Sequence, residues 1–165
     1  MSLLEPIEQI IGTHHAYLRR ALPVIFQEMQ GVAEKLKSEE GIRLRRNFDS
    51  FNEELHKHML KEEVLLFPSI LEVERCALSG SALDPKRYNL QNPLAQMESE
   101  HQTTIGFLTE IKDAGAQLDW QKNFFEIFRL IRELEIDLLQ HIKLEEQSLF
   151  VNARNLYLKV LARHT

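Results

Sequence analysis

The sequence predicts an all-α protein, an antiparallel up-down four-helix bundle, and three observations carry that prediction. Long segments repeat apolar residues at i, i+3 and i+4, the period of a helix with one buried face. The six glycines and five prolines are few and fall where such segments would join. No stretch shows the sustained alternation of a half-buried strand, since even the apolar run from Asn123 to Ile131 is helically spaced. At 165 residues and 44% hydrophobic content, the expectation is one domain, 1–165, around a single core.

The first helix is expected over roughly 5–38, with Pro6 suited to a first turn and Ile7, Ile11, Leu18, Leu22, Ile25, Met29, Val32 and Leu36 on its stripe. Pro23 should bend or split it. The second, roughly 42–77, begins after Gly41 and carries Leu44, Phe48, Phe51, Leu55, Leu65 and Leu66, with a kink at Pro68. The turn-rich stretch from Ser79 to Pro93 reads as the long connection. The third, roughly 94–114, has the stripe Leu94, Met97, His101, Ile105, Leu108 and Ile111. The fourth, roughly 119–162, starts at Asp119 as N-cap and continues through Phe124, Ile127, Ile131, Leu134, Leu138, Ile142 and Leu149.

Twenty Lys and Arg against 25 Asp and Glu give a net charge of −5 with no dense basic cluster, which disfavours a nucleic-acid partner. The N-terminus lacks a basic region followed by an apolar one, and no apolar run is long enough for a bilayer, so no membrane partner and a cytoplasmic location are expected. The single cysteine, Cys76, has no partner for a disulfide or a sulfur-rich metal site and reads as a buried helix residue.

One motif stands apart. His58-Met-Leu-Lys-Glu62-Glu63-Val-Leu-Leu66-Phe67 recurs 83 residues later as His141-Ile-Lys-Leu-Glu145-Glu146-Gln-Ser-Leu149-Phe150. His and Glu four apart lie on one helix face, so each copy offers a nitrogen and an oxygen to one point. Of the seven histidines, His58, His101 and His141 interrupt apolar stripes and point inward. His14 and His15 are flanked alike by Ile11, Leu18 and Leu22, and periodicity does not choose between them. His56 and His164 are expected in solvent. A lone inward histidine is more often a hydrogen-bonded core residue; four, at comparable depth on four helices and two with a Glu one turn on, favour a metal centre. Four imidazoles and two carboxylates are too many for one structural zinc and too rich in nitrogen for calcium or magnesium. They suit two metals bridged by the glutamates, with iron favoured and manganese or zinc as substitutes. Glu53-x-x-His56 and Glu98-x-x-His101 echo a ferritin-like pattern, but the first faces outward and the fourth helix has no counterpart. Glu54 and Asp137, four before His58 and His141, are candidate outer partners. Glu63 and Glu146 fall off the inward face.

The order single His, His-x-x-x-Glu, single His, His-x-x-x-Glu resembles the hemerythrin-like (HHE cation-binding) family, and within it the di-iron proteins of iron–sulfur cluster repair, without their N-terminal cysteine-containing domain. The matching stretches are His15 to Leu22-Pro23, Glu53-Glu54-Leu55-x-x-His58-Met-x-Lys-Glu62-Glu63, Met97-Glu98-Ser99-Glu100-His101 and His141-Ile-x-Leu144-Glu145. Ile105 four after His101, and Glu145 four after His141, set the chain apart from oxygen carriers, which use His-x-x-x-His and a terminal Asp there. The resemblance implies His15, His58, His101 and His141 as terminal ligands, and Glu62 and Glu145 as bridges of two non-haem irons that also share an oxygen. It implies cluster repair or a response to nitric oxide and oxidative stress, with nitric oxide, oxygen or peroxide as small ligands and damaged iron–sulfur proteins as partners. The alternatives are an oxygen or nitric-oxide sensor or store without repair activity, and redox catalysis on nitric oxide or peroxide.

Overall fold

The structure, a computed structural model, describes residues 2–35 and 37–163, and among side chains omits those of 33–35. Leu36 and His164, assigned above to a stripe and to solvent, lie outside the described residues. The described residues form five helices and no strand: α1 over 4–35, α2 over 39–79, α3 over 91–117, the short α4 (Trp120–Asn123) and α5 over 125–162. α2 packs along α3, α1 packs on α2 and α5, and the C-terminal parts of α2 and α5 pack together. No described helix is long and apolar enough to cross a membrane.

Local chemistry explains where the helix ends differ from expectation. α2 starts at Glu39 rather than 42 because Ser38 is its N-cap, its hydroxyl accepting from the Gly41 N–H at 3.2 Å, with Glu39 and Glu40 in the first turn. α3 starts at Gln91, whose N–H is taken by the Asn89 side chain at 2.9 Å; Pro93 then falls in a turn whose N–H groups have no partner within the helix. Pro23 does not split α1, since Leu22 and Ile25 on either side are fully buried and their packing outweighs one lost hydrogen bond.

Asp119 is a clear departure. It has φ of 50° and makes no capping bond; α4 lasts one turn, and Phe124 at φ −142° breaks the chain before α5 begins. Burial of Trp120 governs this corner instead. A Cβ on Gly115 would lie 2.3 Å from the Trp120 ring, so only glycine lets the indole lie flat on α3. Gly115→Ala should therefore cost about 1–3 kcal/mol through overpacking, read as a lower urea midpoint with unchanged m-value.

The core is double. One apolar cluster joins Leu18, Leu22, Phe48, Phe51, Leu55, Ile111, Ile131 and Leu138; a second joins Ile7, Ile10, Leu66, Phe67, Ile70, Leu94, Leu149 and Phe150. Between them lies a layer of buried polar side chains: His14, His15, His58, Glu62, His101, Thr104, His141 and Glu145.

Candidate metal centre

Three wide turns with i→i+5 hydrogen bonding interrupt the helices at this layer: Ile10–His15 in α1, Glu62–Leu66 in α2 and Glu145–Leu149 in α5. In each the N–H of the next residue reaches five back: Ala16 to Ile11, Phe67 to Glu62, Phe150 to Glu145. Such turns widen the helix and re-aim side chains, and they recur at functional sites. In α1 the widened turn buries both His14 and His15 and replaces Ile11 by Ile10 in the core. In α2 it leaves Leu65 64% exposed while Leu66 stays buried, against the expectation that both lie on the stripe.

The four imidazoles of His15, His58, His101 and His141 converge through Nε2 on the two carboxylates. Glu62 Oε2 lies 3.2 Å from His15 and its Oε1 3.1 Å from His58. Glu145 Oε1 lies 2.9 Å from His141 and its Oε2 3.1 Å from His101. Each carboxylate thus turns one oxygen to each of two sets: His15, Glu62, His141, Glu145, and His58, Glu62, His101, Glu145, every one buried. Within a set the donor atoms lie within 4.8 Å of one another, the spacing of groups around a single ion. Hydrogen bonding does not account for this convergence. His15 Nε2, both Glu62 oxygens and Glu145 Oε2 are buried without a directed hydrogen bond, and His58 and His101 bring Nε2 atoms to 3.1 Å. Buried atoms of this kind need a partner, and bound metal would supply one.

The outer nitrogens are held by groups that helical periodicity places off the inward face. Glu63 meets His15 Nδ1 at 2.6 Å, Glu146 meets His101 Nδ1 at 2.8 Å, and Glu100 meets His58 Nδ1 at 3.2 Å. Glu62 and Glu63 therefore face both nitrogens of His15 on α1, and Glu145 and Glu146 both nitrogens of His101 on α3. The signal lay in the repeat, because Glu63 and Glu146 hold the same offset in both copies. Glu54 and Asp137 do not take the expected roles: Glu54 pairs with Lys57 at the surface, and Asp137 meets His14 at 3.0 Å rather than His141. His56 is exposed, bonded to the Asn52 carbonyl, and Cys76 is buried and free. A crevice too narrow for a water molecule reaches the layer between Leu55, Thr104, Leu138 and Ile142.

The profile of the Hemerythrin HHE cation binding domain matches residues 7–153, which contain the whole layer. The chain belongs to this hemerythrin HHE family. Proteins named iron-sulfur cluster repair protein YtfE are 30% identical over 87% of the chain in Edwardsiella ictaluri, 31% over 93% in Enterobacter sp. strain 638 and 31% over 92% in Escherichia coli O157:H7. The chain spans 62%, 67% and 66% of the length of these three relatives.

Charge fits a cation-binding HHE layer. In the metal-free chain, burial alone would push His58 down, but Glu62 and Glu145 outweigh it and lift the imidazole to about 9; His15 and His101 are raised in the same way. Burial opposes ionisation of Glu145, yet His141 and His101 hold it below its ordinary 4.5. The His58 contribution is complete below its unfolded value of 6.5 and is lost as pH rises toward 9; that of Glu145 is lost as pH falls below 4.5. Urea unfolding of metal-free protein should thus show falling stability from about pH 6 to 9, with a flatter profile in His58→Leu. A flat wild-type profile would contradict the pairing. Metal has to displace these protons, so its affinity should rise over the same range.

Proposed function

We propose that this HHE protein, as one domain over 1–165, holds two non-haem iron ions. His15 and His141 serve one and His58 and His101 the other, while Glu62 and Glu145 bridge them. The carrying observation is the placement of the carboxylate oxygens, one toward each histidine pair, in a layer where His15 Nε2, both Glu62 oxygens and Glu145 Oε2 lack a directed hydrogen bond. Three nitrogen ligand positions are oriented from behind by Glu63, Glu100 and Glu146, which keep Nε2 free to ligate. Bound there, the iron pair would supply exchangeable positions for small diatomics and one-electron chemistry.

The physiological role we infer is repair of iron–sulfur clusters, or handling of nitric oxide and oxidative stress, in the cytoplasm. Support comes from the shared ligand pattern and from relatives named as cluster-repair proteins. A second reading, an oxygen or nitric-oxide sensor or store, requires the crevice at His58, His101 and His141 to widen, since it is too narrow for water and both diatomics are larger.

Protein produced with iron should contain about two irons per chain by elemental analysis, with manganese or zinc competing for the same positions. A folded protein that takes up no metal sinks the proposal. Iron-dependent recovery of a damaged cluster enzyme supports repair, whereas reversible nitric-oxide or oxygen binding without recovery supports the sensor reading.

A further inference from the structure

The two halves of the layer are related by the sequence repeat but are not equivalent at one nitrogen. His15 and His101 each have Nδ1 on a carboxylate, Glu63 and Glu146. His58 has Nδ1 on Glu100, which Lys61 holds at 2.6 Å and Gln96 at 2.8 Å. His141, although only 1% exposed, has no acceptor for Nδ1. The cause is visible in the sequence. Glu100 immediately precedes His101, and the residue that immediately precedes His15 is His14. The His14 ring stacks on His141, with centroids 5.3 Å apart and planes within 4°, and offers it no in-plane acceptor. His14 also engages Asp137 at 3.0 Å, the carboxylate one turn before His141.

We propose that the two ion positions are unequal, the one formed by His15 and His141 binding more weakly and releasing its ion first, because His14 stands where Glu100 stands in the other half. An acceptor on Nδ1 fixes the tautomer that leaves Nε2 free and makes it more basic. His58 has that help and His141 does not. Loss of such a partner typically weakens metal binding by roughly 10–100-fold, which sets the expected ratio between the positions. His14 is thereby a positioning residue, acting through His141 rather than on the ion.

This inference rests on the two-ion reading, and the test separates them. Metal-free protein is titrated with ferrous ion under anaerobic conditions by calorimetry. Two ions per chain in two steps about 10–100-fold apart are expected, and anomalous scattering from crystals grown with one equivalent should place it by His58 and His101. Uptake of fewer than two ions would fail the two-ion reading itself, and the inequality with it. His14→Gln, whose amide oxygen can accept from His141, should tighten the second step toward the first; Glu100→Ala should weaken the first toward the second. A first ion found by His15 and His141, equal steps, or steps that survive Glu100→Ala through ion–ion repulsion alone would overturn the proposal. It would also fall if Asp137→Asn weakened the second step as much as Glu100→Ala weakens the first. Should His14→Gln not fold, Glu100→Ala and the position of the first ion decide the question.

Discussion

Glu62→Leu is expected to abolish iron binding at both positions while leaving the helical far-ultraviolet spectrum intact. Glu62 presents an oxygen to each histidine pair, so one substitution removes a donor from both sets. In the metal-free chain the same carboxylate lies fully buried against His15 and His58, and removing one partner of a buried pair leaves the other uncompensated, which is destabilising. His15 and His58 lose the carboxylate that does most to raise them, while Glu63 and Glu100 stay on their Nδ1 atoms. The signature is therefore a double loss. Metal-free Glu62→Leu should unfold at a lower urea concentration than its parent at about pH 6, and iron should no longer raise the midpoint. In the parent, each iron at 100 times its Kd should add about 2.7 kcal/mol. A variant that still binds two irons would remove the bridging assignment.

Phe150→Ala should produce the largest loss of stability, about 3–5 kcal/mol, in urea unfolding of the metal-free protein. Phe150 is fully buried in the second apolar cluster, and its ring lies on His101 with centroids 6.1 Å apart and planes within 5°. Phe67, its counterpart in the repeat, lies on His15 at 6.1 Å and 17°. The conserved offset of the two phenylalanines from the Glu-Glu pairs has a structural purpose: each ring backs the histidine that its neighbouring glutamates hold. Removing one leaves a cavity beside an imidazole whose direction matters, so iron affinity should fall together with stability. Val151→Ala next to it, at a side chain 43% exposed, should change stability by less than about 0.5 kcal/mol. A loss below about 1 kcal/mol at Phe150 would mean that the cluster collapses to fill the space.

The helical architecture was readable from periodicity because nearly every stripe residue faces a partner helix. The inward placement of His58, His101, His141, Glu62 and Glu145 was readable for the same reason, since each occupies the register of an apolar neighbour such as Leu55 or Leu138. What periodicity missed traces to places where the period changes. Periodicity does not choose between His14 and His15, and the structure buries both in a widened turn; a second such turn, in α2, holds exposed Leu65 and the Glu63 that reaches across to α1. Propensity also misjudged Asp119, a good capping residue whose conformation is dictated by Trp120 seated on Gly115. The partners of the imidazoles were hidden by distance in sequence, Glu63 reaching back 48 residues and Glu146 back 45.

The polar layer between two apolar clusters has a consequence for cooperativity. Without metal, the described residues join the end containing Phe48 and Ile131 to the end containing Ile70 and Tyr157 through the polar layer, by charge pairs, ring stacking and helix continuity. Each end can then open separately, and amide protons on the two sides of the layer should exchange with different free energies. Four helices tied to one ion pair would abolish that independence. Metal loading would convert two loosely linked folding units into a single one, and loss of the ions would be felt as mechanical loosening far from the ligands.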